Sequence, residues 1–267
     1  MFDDSLQESW RRRYGEEPEA GVPDLGSLLT HRSVRDFEPR EISEATIVGL
    51  IAAAQSAATS SNLQLWSTVS IQDPKSREQI AMLCGDQHQV REAAWFFAFL
   101  ADHHRIRHAA EAHGELAEGL DYTEFYTMAV IDAALAAERM VCAAESLGIG
   151  VCYIGGLRND AEGVRQMLKL PDGVFGLFGL CLGWPKEESG AEIKPRLSQE
   201  AVWFRETYNT QPNVSEYDDR MKAFYEEQKM RGDVTWSMRS ARRVGPDHLT
   251  GRQILKTWLE ERGFNRR

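Results

Sequence analysis

Between Leu28 and Phe37 the chain reads LLTHRSVRDF. His31, Arg32, Ser33 and Arg35 crowd together behind the apolar pair Leu28-Leu29 and ahead of Phe37, so the polar groups sit at the edge of something buried. Two guanidiniums, an imidazole and a hydroxyl gathered this way offer what a phosphate needs, because Arg supplies a planar fork of charged donors and Ser a neutral one. A solvated helix terminus whose arginines pair with Asp36 and Glu38 would carry the same residues. A second basic group, Lys194-Pro195-Arg196, stands far along the chain, and a phospho-ligand is the simplest purpose the two groups could share. Three further stretches have the right composition for a site. Thr59-Ser60-Ser61-Asn62 is a turn of small polar residues of the kind that usually caps something. Gln87 places an amide just after Gly85-Asp86. Gly150 to Asn159 reads as a strand that ends in Gly155-Gly156, where missing Cβ atoms let backbone approach a flat ligand, although glycines also make ordinary turns.

Other chemistries find less support. His104 and His108 have the i,i+4 spacing that puts two imidazoles on one helix face, but no H-E-x-x-H surrounds them and a solvated face explains them equally, so no metal is expected. Gly148-x-Gly150 does not extend to a dinucleotide fingerprint, because Tyr153 occupies the third glycine position. Neither a G-x-x-x-x-G-K-[ST] loop nor a G-x-S-x-G elbow occurs. Cys84, Cys142, Cys152 and Cys181 lack C-x-x-C spacing and read as small hydrophobes in a reducing compartment, with neither disulfide nor zinc. The formal charge of −10 opposes non-specific nucleic-acid binding, so any anion site must be local. The longest apolar run, Ala93 to Ala101, falls far short of the roughly 20 residues a membrane helix requires. With no secretory h-region near Trp10, cytoplasmic residence is expected.

The positioning elements follow from pattern. A chain of 267 residues with 42% hydrophobic and 27% charged content is expected to form an α/β or α+β domain with extensions. Residues 1–23 read as an arm outside the core, 24–185 as the core, and 186–267 as a carboxyl-terminal extension. Leu25, Leu28 and Leu29 have helical spacing. After Pro39, Ser43 is the expected N-cap of a helix, with Ile42 and Ile47 as its hydrophobic staple. A strand is expected at 68–71, a helix at 76–83 and a buried strand from Ala93. The helix from Thr127 to Ser146 is apolar around most of its circumference, which fits a large core or a subunit interface. A short helix follows Asn159 or Asp160, then a central strand from Val174 to Pro185 covered on both faces. Helical stretches at 216–231 and 253–262 read as arms more than core.

Taken in order, the H-R-S-x-R of residues 31–35, the S-S-x-L-Q of 60–64, the G-x-Q of 85–87, the Y-I-G-G-x-R-N of 153–159, the G-L-x-x-G-x-P of 179–185 and the K-P-R of 194–196 resemble the flavin-dependent nitroreductase family, in its NADPH-dependent nitroreductase and FMN reductase branch. The resemblance implies an α+β fold, a mostly antiparallel sheet wrapped by helices in an intertwined homodimer with FMN at the interface. It assigns His31, Arg32, Ser33, Lys194 and Arg196 to the FMN phosphate and its polar neighbours. Arg35 and Gln87 fall nearer the polar edge of the ring, Ser60 and Ser61 come from the second subunit, the backbone at Gly155 and Gly156 approaches the N5 side, and Tyr153 is a further cofactor-binding residue. It further implies ping-pong transfer from NADPH through flavin to nitroaromatic, quinone or flavin acceptors. Asn62 stands where several relatives carry an aromatic residue, which bears on acceptor choice. Arg231 leads the candidates for the NADPH 2′-phosphate, with Arg239, Arg242 and Arg243 in reserve. A protein that stores or senses FMN without turnover would keep the same phosphate contacts.

Overall fold

The computed structural model describes residues 5–230 and 234–267. The chain divides into two compact units, one of Met1–Arg32 with Gly190–Leu249 and the other of Ser33–Ser189 with Thr250–Arg267.

The second unit is built on a four-stranded antiparallel sheet in the order β1-β2-β4-β3, with β1 at Trp66–Ser70, β2 at Trp95–Asp102, β3 at Gly150–Ile154 and β4 at Val174–Gly183. The unbroken apolar runs became the two central strands, β2 and β4, because only strands covered on both faces can be apolar at odd and even positions alike. Helix α2 (Glu44–Gln55) starts as expected: Ser43 Oγ accepts from Thr46 N at 3.2 Å, and Ile42 and Ile47 are both buried. Helix α3 spans Pro74–Leu83, starting before the expected Ser76, because Asp73 caps it and Pro74 opens its first turn. Two short helices follow on the sequence, α4 (His88–Glu92) and α5 (His104–Ala112), and His104 and His108 lie exposed on the latter.

The long helix α6 runs from Thr123 to Ser146. It buries Met128, Asp132, Ala136, Met140 and Ala144 against the sheet and α2, while Ile131 and Leu135 stay nearly half exposed. Burial is thus one-sided within this chain, although the sequence reads as apolar all round. Helix α7 (Ala161–Leu168) is capped by Asp160, whose Oδ1 accepts from Gly163 N at 2.8 Å. The end of the chain is core and not arm: Trp258 and Leu259 of a short final helix (Leu255–Glu261), with Phe264, pack with Leu65, Ala101 and Phe175.

The first unit contains α1 (Leu6–Tyr14), a 3₁₀ turn at Gly26–Leu29, the extended Lys194–Arg196 stretch, α8 (Ser215–Glu227) and α9 (Trp236–Arg243). The sequence pattern puts residues 1–23 outside any core, yet Ser9, Trp10 and Arg13 of α1 are buried. Among the described residues, no helix is long and apolar enough to cross a membrane.

Candidate functional site

Within the first unit the two basic stretches meet around Arg13. Its Nε donates to the Leu29 carbonyl at 2.9 Å and its Nη2 to the His31 carbonyl at 3.1 Å, while its own carbonyl accepts from Arg196 N at 2.9 Å. The Lys194-Pro195-Arg196 stretch is held on its other side too. Tyr217 Oη donates to the Pro195 carbonyl at 3.4 Å, and Arg220 Nη2 donates to that of Arg196 at 3.3 Å. His31 and Arg32 are half-buried, and Lys194 and Arg196 are exposed.

In the second unit, Ser33 bridges Val151 of β3, and Val34 N donates to the Val151 carbonyl at 2.9 Å. Arg35 projects between the buried Val34 and Phe37 into an exposed position. The two glycines after β3 are not equivalent. A Cβ on Gly156 would lie 2.1 Å from the Cys84 carbonyl oxygen and 2.8 Å from Gln87 Nε2, whereas one on Gly155 would meet nothing nearer than Arg158 Nη2 at 3.5 Å. Gly156 is therefore a packing glycine, and Gly155 is the one with an open face. Gln87 is fixed by the same cluster, donating from Nε2 to the Cys84 carbonyl at 2.7 Å and accepting from the buried Gln89 at 2.7 Å. Arg252 closes the opposite side through Nη2 to the Gly155 carbonyl at 3.0 Å and a bidentate grip on Asn159 Oδ1 at 2.8 and 3.0 Å.

Tyr153 donates to Glu138 Oε2 at 3.1 Å. Burial of the phenol and then the Glu138 carboxylate hold its pKa well above the usual tyrosine range, even with 37% of the residue exposed, so it stays protonated. Burial also pushes the Cys84 thiol up to about 12 and raises that of Cys181, and thiols in this state are not nucleophiles.

The Ser60-Ser61-Asn62 turn is held from beneath by Asp132, only 1% exposed, whose carboxylate accepts from Thr59 Oγ1 at 2.6 Å, Ser60 N at 3.0 Å and Leu65 N at 3.0 Å. Ser61, Asn62 and Gln64 all take left-handed backbone, with φ of 50°, 54° and 51°. Each such residue costs roughly 1–2 kcal/mol, so the turn persists because Asp132 over-determines it. Among the described residues, no hydrogen bond joins this turn to Gly155-Gly156.

Arg231 lies outside the described residues. Arg239, Arg242 and Arg243 line one open hollow of about 480 Å³ with Val234, Ser240 and His248. There the Arg239 guanidinium lies 4.6 Å from the centre of the Tyr225 ring, and Arg243 Nη1 donates to the His248 carbonyl at 2.8 Å.

Sequence reasoning did not single out Arg13, Asp132, Gln89 or Arg252. Only Asp132 left a signal, as a lone carboxylate in the apolar part of α6.

The description "Nitroreductase family" matches residues 28–184, and "Nitroreductase family, C-terminal domain" matches 194–267. The chain belongs to the nitroreductase family. Among curated nitroreductase relatives it is 37% identical over 249 residues to the FMN reductase (NADPH) of Bacillus subtilis, covering 91% of this chain and 98% of that one. It is 36% identical over 249 residues to the oxygen-insensitive NADPH nitroreductase of Salmonella typhimurium, again across 91% of this chain and 98% of the relative. The solved structure of the NfrA1 nitroreductase from B. subtilis superposes with a TM-score of 0.84 at 37% identity, over 90% of this chain and 98% of that chain.

Proposed function

We propose that this nitroreductase-family chain is an FMN-dependent oxidoreductase that uses NADPH to reduce a small acceptor such as a nitroaromatic, a quinone or free flavin, in a ping-pong cycle. The observation that carries the reading is the joining of His31 and Arg196 to one buried hub, which gathers cationic and donor groups of the kind an FMN phosphate takes. The open face of Gly155 fits a flat ring in the same sense.

His31, Arg32, Ser33, Lys194 and Arg196 bind the phosphate in this reading. Arg35 and Gln87 serve the polar edge of the ring, the backbone at Gly155 and Gly156 its N5 side, and Tyr153 is a further cofactor-binding residue. FMN supplies the hydride chemistry. The protein's share is to orient the ring, exclude water and hold a positive field toward the electron-rich state, so no acid-base triad is needed. Gln87 suits its role because Cys84 and Gln89 lock its amide in one orientation. Asn62, on the Asp132-held turn, is the residue proposed to influence the acceptor.

Ser60 and Ser61 act from a second subunit in a homodimer. Supporting this are the half-exposed Ile131 and Leu135 on α6 and Val48, 64% exposed, on α2. Light scattering at low micromolar concentration should find dimer, and a stable flavin-loaded monomer would contradict it. Purified protein should be yellow and release FMN on denaturation. A reconstituted preparation without oxidised-flavin absorbance would overturn the cofactor assignment.

For the reductant, Arg231 is the proposed partner of the NADPH 2′-phosphate, the one large group NADH lacks. Arg231→Ala should lower kcat/KM for NADPH roughly ten- to a hundredfold while leaving NADH turnover nearly unchanged, from a loss of about 1.4–3 kcal/mol. Equal losses with both nucleotides would assign Arg231 to the fold or the flavin. No loss with either would move the role to the hollow lined by Arg239, Arg242 and Arg243.

A further inference from the structure

We propose that Arg13, in the first helix, is a positioning residue that assembles the phosphate-binding group. The inference rests on the FMN reading above and adds to it a residue outside both matched family regions, which begin at 28 and at 194.

Three arginines stand in a row at the end of α1, and they behave differently. Arg11 is 53% exposed and pairs with Glu8 and Glu17, while Arg12, 46% exposed, pairs with Glu8. Arg13 is 5% exposed. Taking a guanidinium out of water is costly unless its donors are satisfied, and here two of them are spent on the Leu29 and His31 carbonyls. Both of these bonds order backbone, at Leu29 and at His31.

The geometry of the peptide bond makes the consequence specific. In a trans peptide the C=O and the following N–H point in opposite directions. Holding the His31 carbonyl toward Arg13 therefore turns the Arg32 N–H away from α1, and with it fixes where the Arg32 side chain leaves the backbone. The second stretch is set by the same residue, because the Arg13 carbonyl takes the Arg196 N–H while Tyr217 takes the Pro195 carbonyl at the other end of that peptide. One side chain and one carbonyl of residue 13 thus fix both halves of a group whose members are more than 160 positions apart in sequence. Without the Arg13 side chain the Leu29 and His31 carbonyls would lose their holder, so the backbone that carries His31 and Arg32 would have to be ordered at the moment of binding, and that entropy would come out of FMN affinity.

FMN and riboflavin differ only by the phosphate, so their ratio of affinities reads this role apart from general damage. The full-length protein, stripped of flavin, is titrated with each by fluorescence quenching. Arg13→Ala should weaken FMN about tenfold or more, the scale of a charge-assisted contact, and change riboflavin binding less than about twofold. Arg13→Lys keeps the charge but offers a point donor on a flexible stem in place of a fork. It should give a smaller loss with the same sparing of riboflavin, and it carries the test if the alanine variant does not fold. Arg11→Ala, at an exposed neighbouring position, should alter neither affinity. Equal weakening of FMN and riboflavin in the Arg13 variants, or no change in either, would overturn the inference. A wild-type protein that does not prefer FMN to riboflavin would overturn the cofactor reading first and this inference with it, whereas a wild-type preference retained in Arg13→Ala would overturn this inference alone.

Discussion

Alanine at Gly156 is expected to cost the protein much of its stability, while alanine one position earlier is expected to cost it only the flavin. The Cβ added at residue 156 would sit 2.1 Å from the Cys84 carbonyl oxygen, and that oxygen has nowhere to go. Cys84 closes α3 by donating its N–H to the Ile80 carbonyl at 3.0 Å, and its own carbonyl accepts from Gln87. Overpacking of this kind costs about 1–3 kcal/mol, and losing the Gln87 hydrogen bond adds about 1 kcal/mol more. We therefore expect Gly156→Ala to be destabilised by about 3 kcal/mol in urea unfolding. At Gly155 the added methyl meets only Arg158 at an ordinary 3.5 Å, so Gly155→Ala should unfold within about 0.5 kcal/mol of wild type. The same methyl would stand on the face offered to the ring, and FMN affinity should fall about tenfold or more, the usual scale of one lost strong contact. Normal FMN binding by Gly155→Ala would show that this face is not where the ring lies.

The second large effect is expected at Asp132. Replacing it by alanine strands the Leu65 N–H in a position with 0% exposure, removes the acceptor of the Thr59 hydroxyl and of Ser60 N, and loosens the turn that holds Ser61, Asn62 and Gln64 left-handed. One stranded buried donor costs about 1–3 kcal/mol, so Asp132→Ala should lose about 3–4 kcal/mol in total, and Asp132→Asn, which keeps one acceptor oxygen, about half of that. Hydrogen exchange at Ser60 and Leu65 should rise ahead of exchange in β2. If Asp132→Ala lost less than about 1 kcal/mol, the turn would owe its shape to something other than this carboxylate.

How much could be read from sequence depended on the range of the interaction. The Ser43 cap and the Ile42–Ile47 staple were legible because all their partners are close neighbours in sequence. The central strands were legible because Trp95–Asp102 and Val174–Gly183 are apolar on both faces. The H-R-S-x-R and K-P-R groups stood out as charge beside apolar or proline-bounded sequence. What joins them did not, since nothing local separates Arg13 from Arg11 and Arg12, and its buried state depends on carbonyls supplied by residues 29 and 31. The unequal roles of Gly155 and Gly156 were hidden for a similar reason. They are set by the backbone of Cys84, and a carbonyl leaves no mark in a residue code. Helix α9 was missed because it has only eight residues, fewer than the stretch over which a helical period is read, although Thr235 caps it by accepting from Met238 N at 3.3 Å.

Rapid mixing of the purified, flavin-loaded protein with NADPH in the absence of oxygen tests the proposed reaction most directly. Turnover through the flavin predicts that the absorbance of oxidised flavin is lost with one NADPH consumed per FMN, faster than with NADH, and returns when a quinone or nitroaromatic is added. A bound flavin that stays oxidised in excess NADPH would contradict it, and would leave a protein that holds FMN without turning it over.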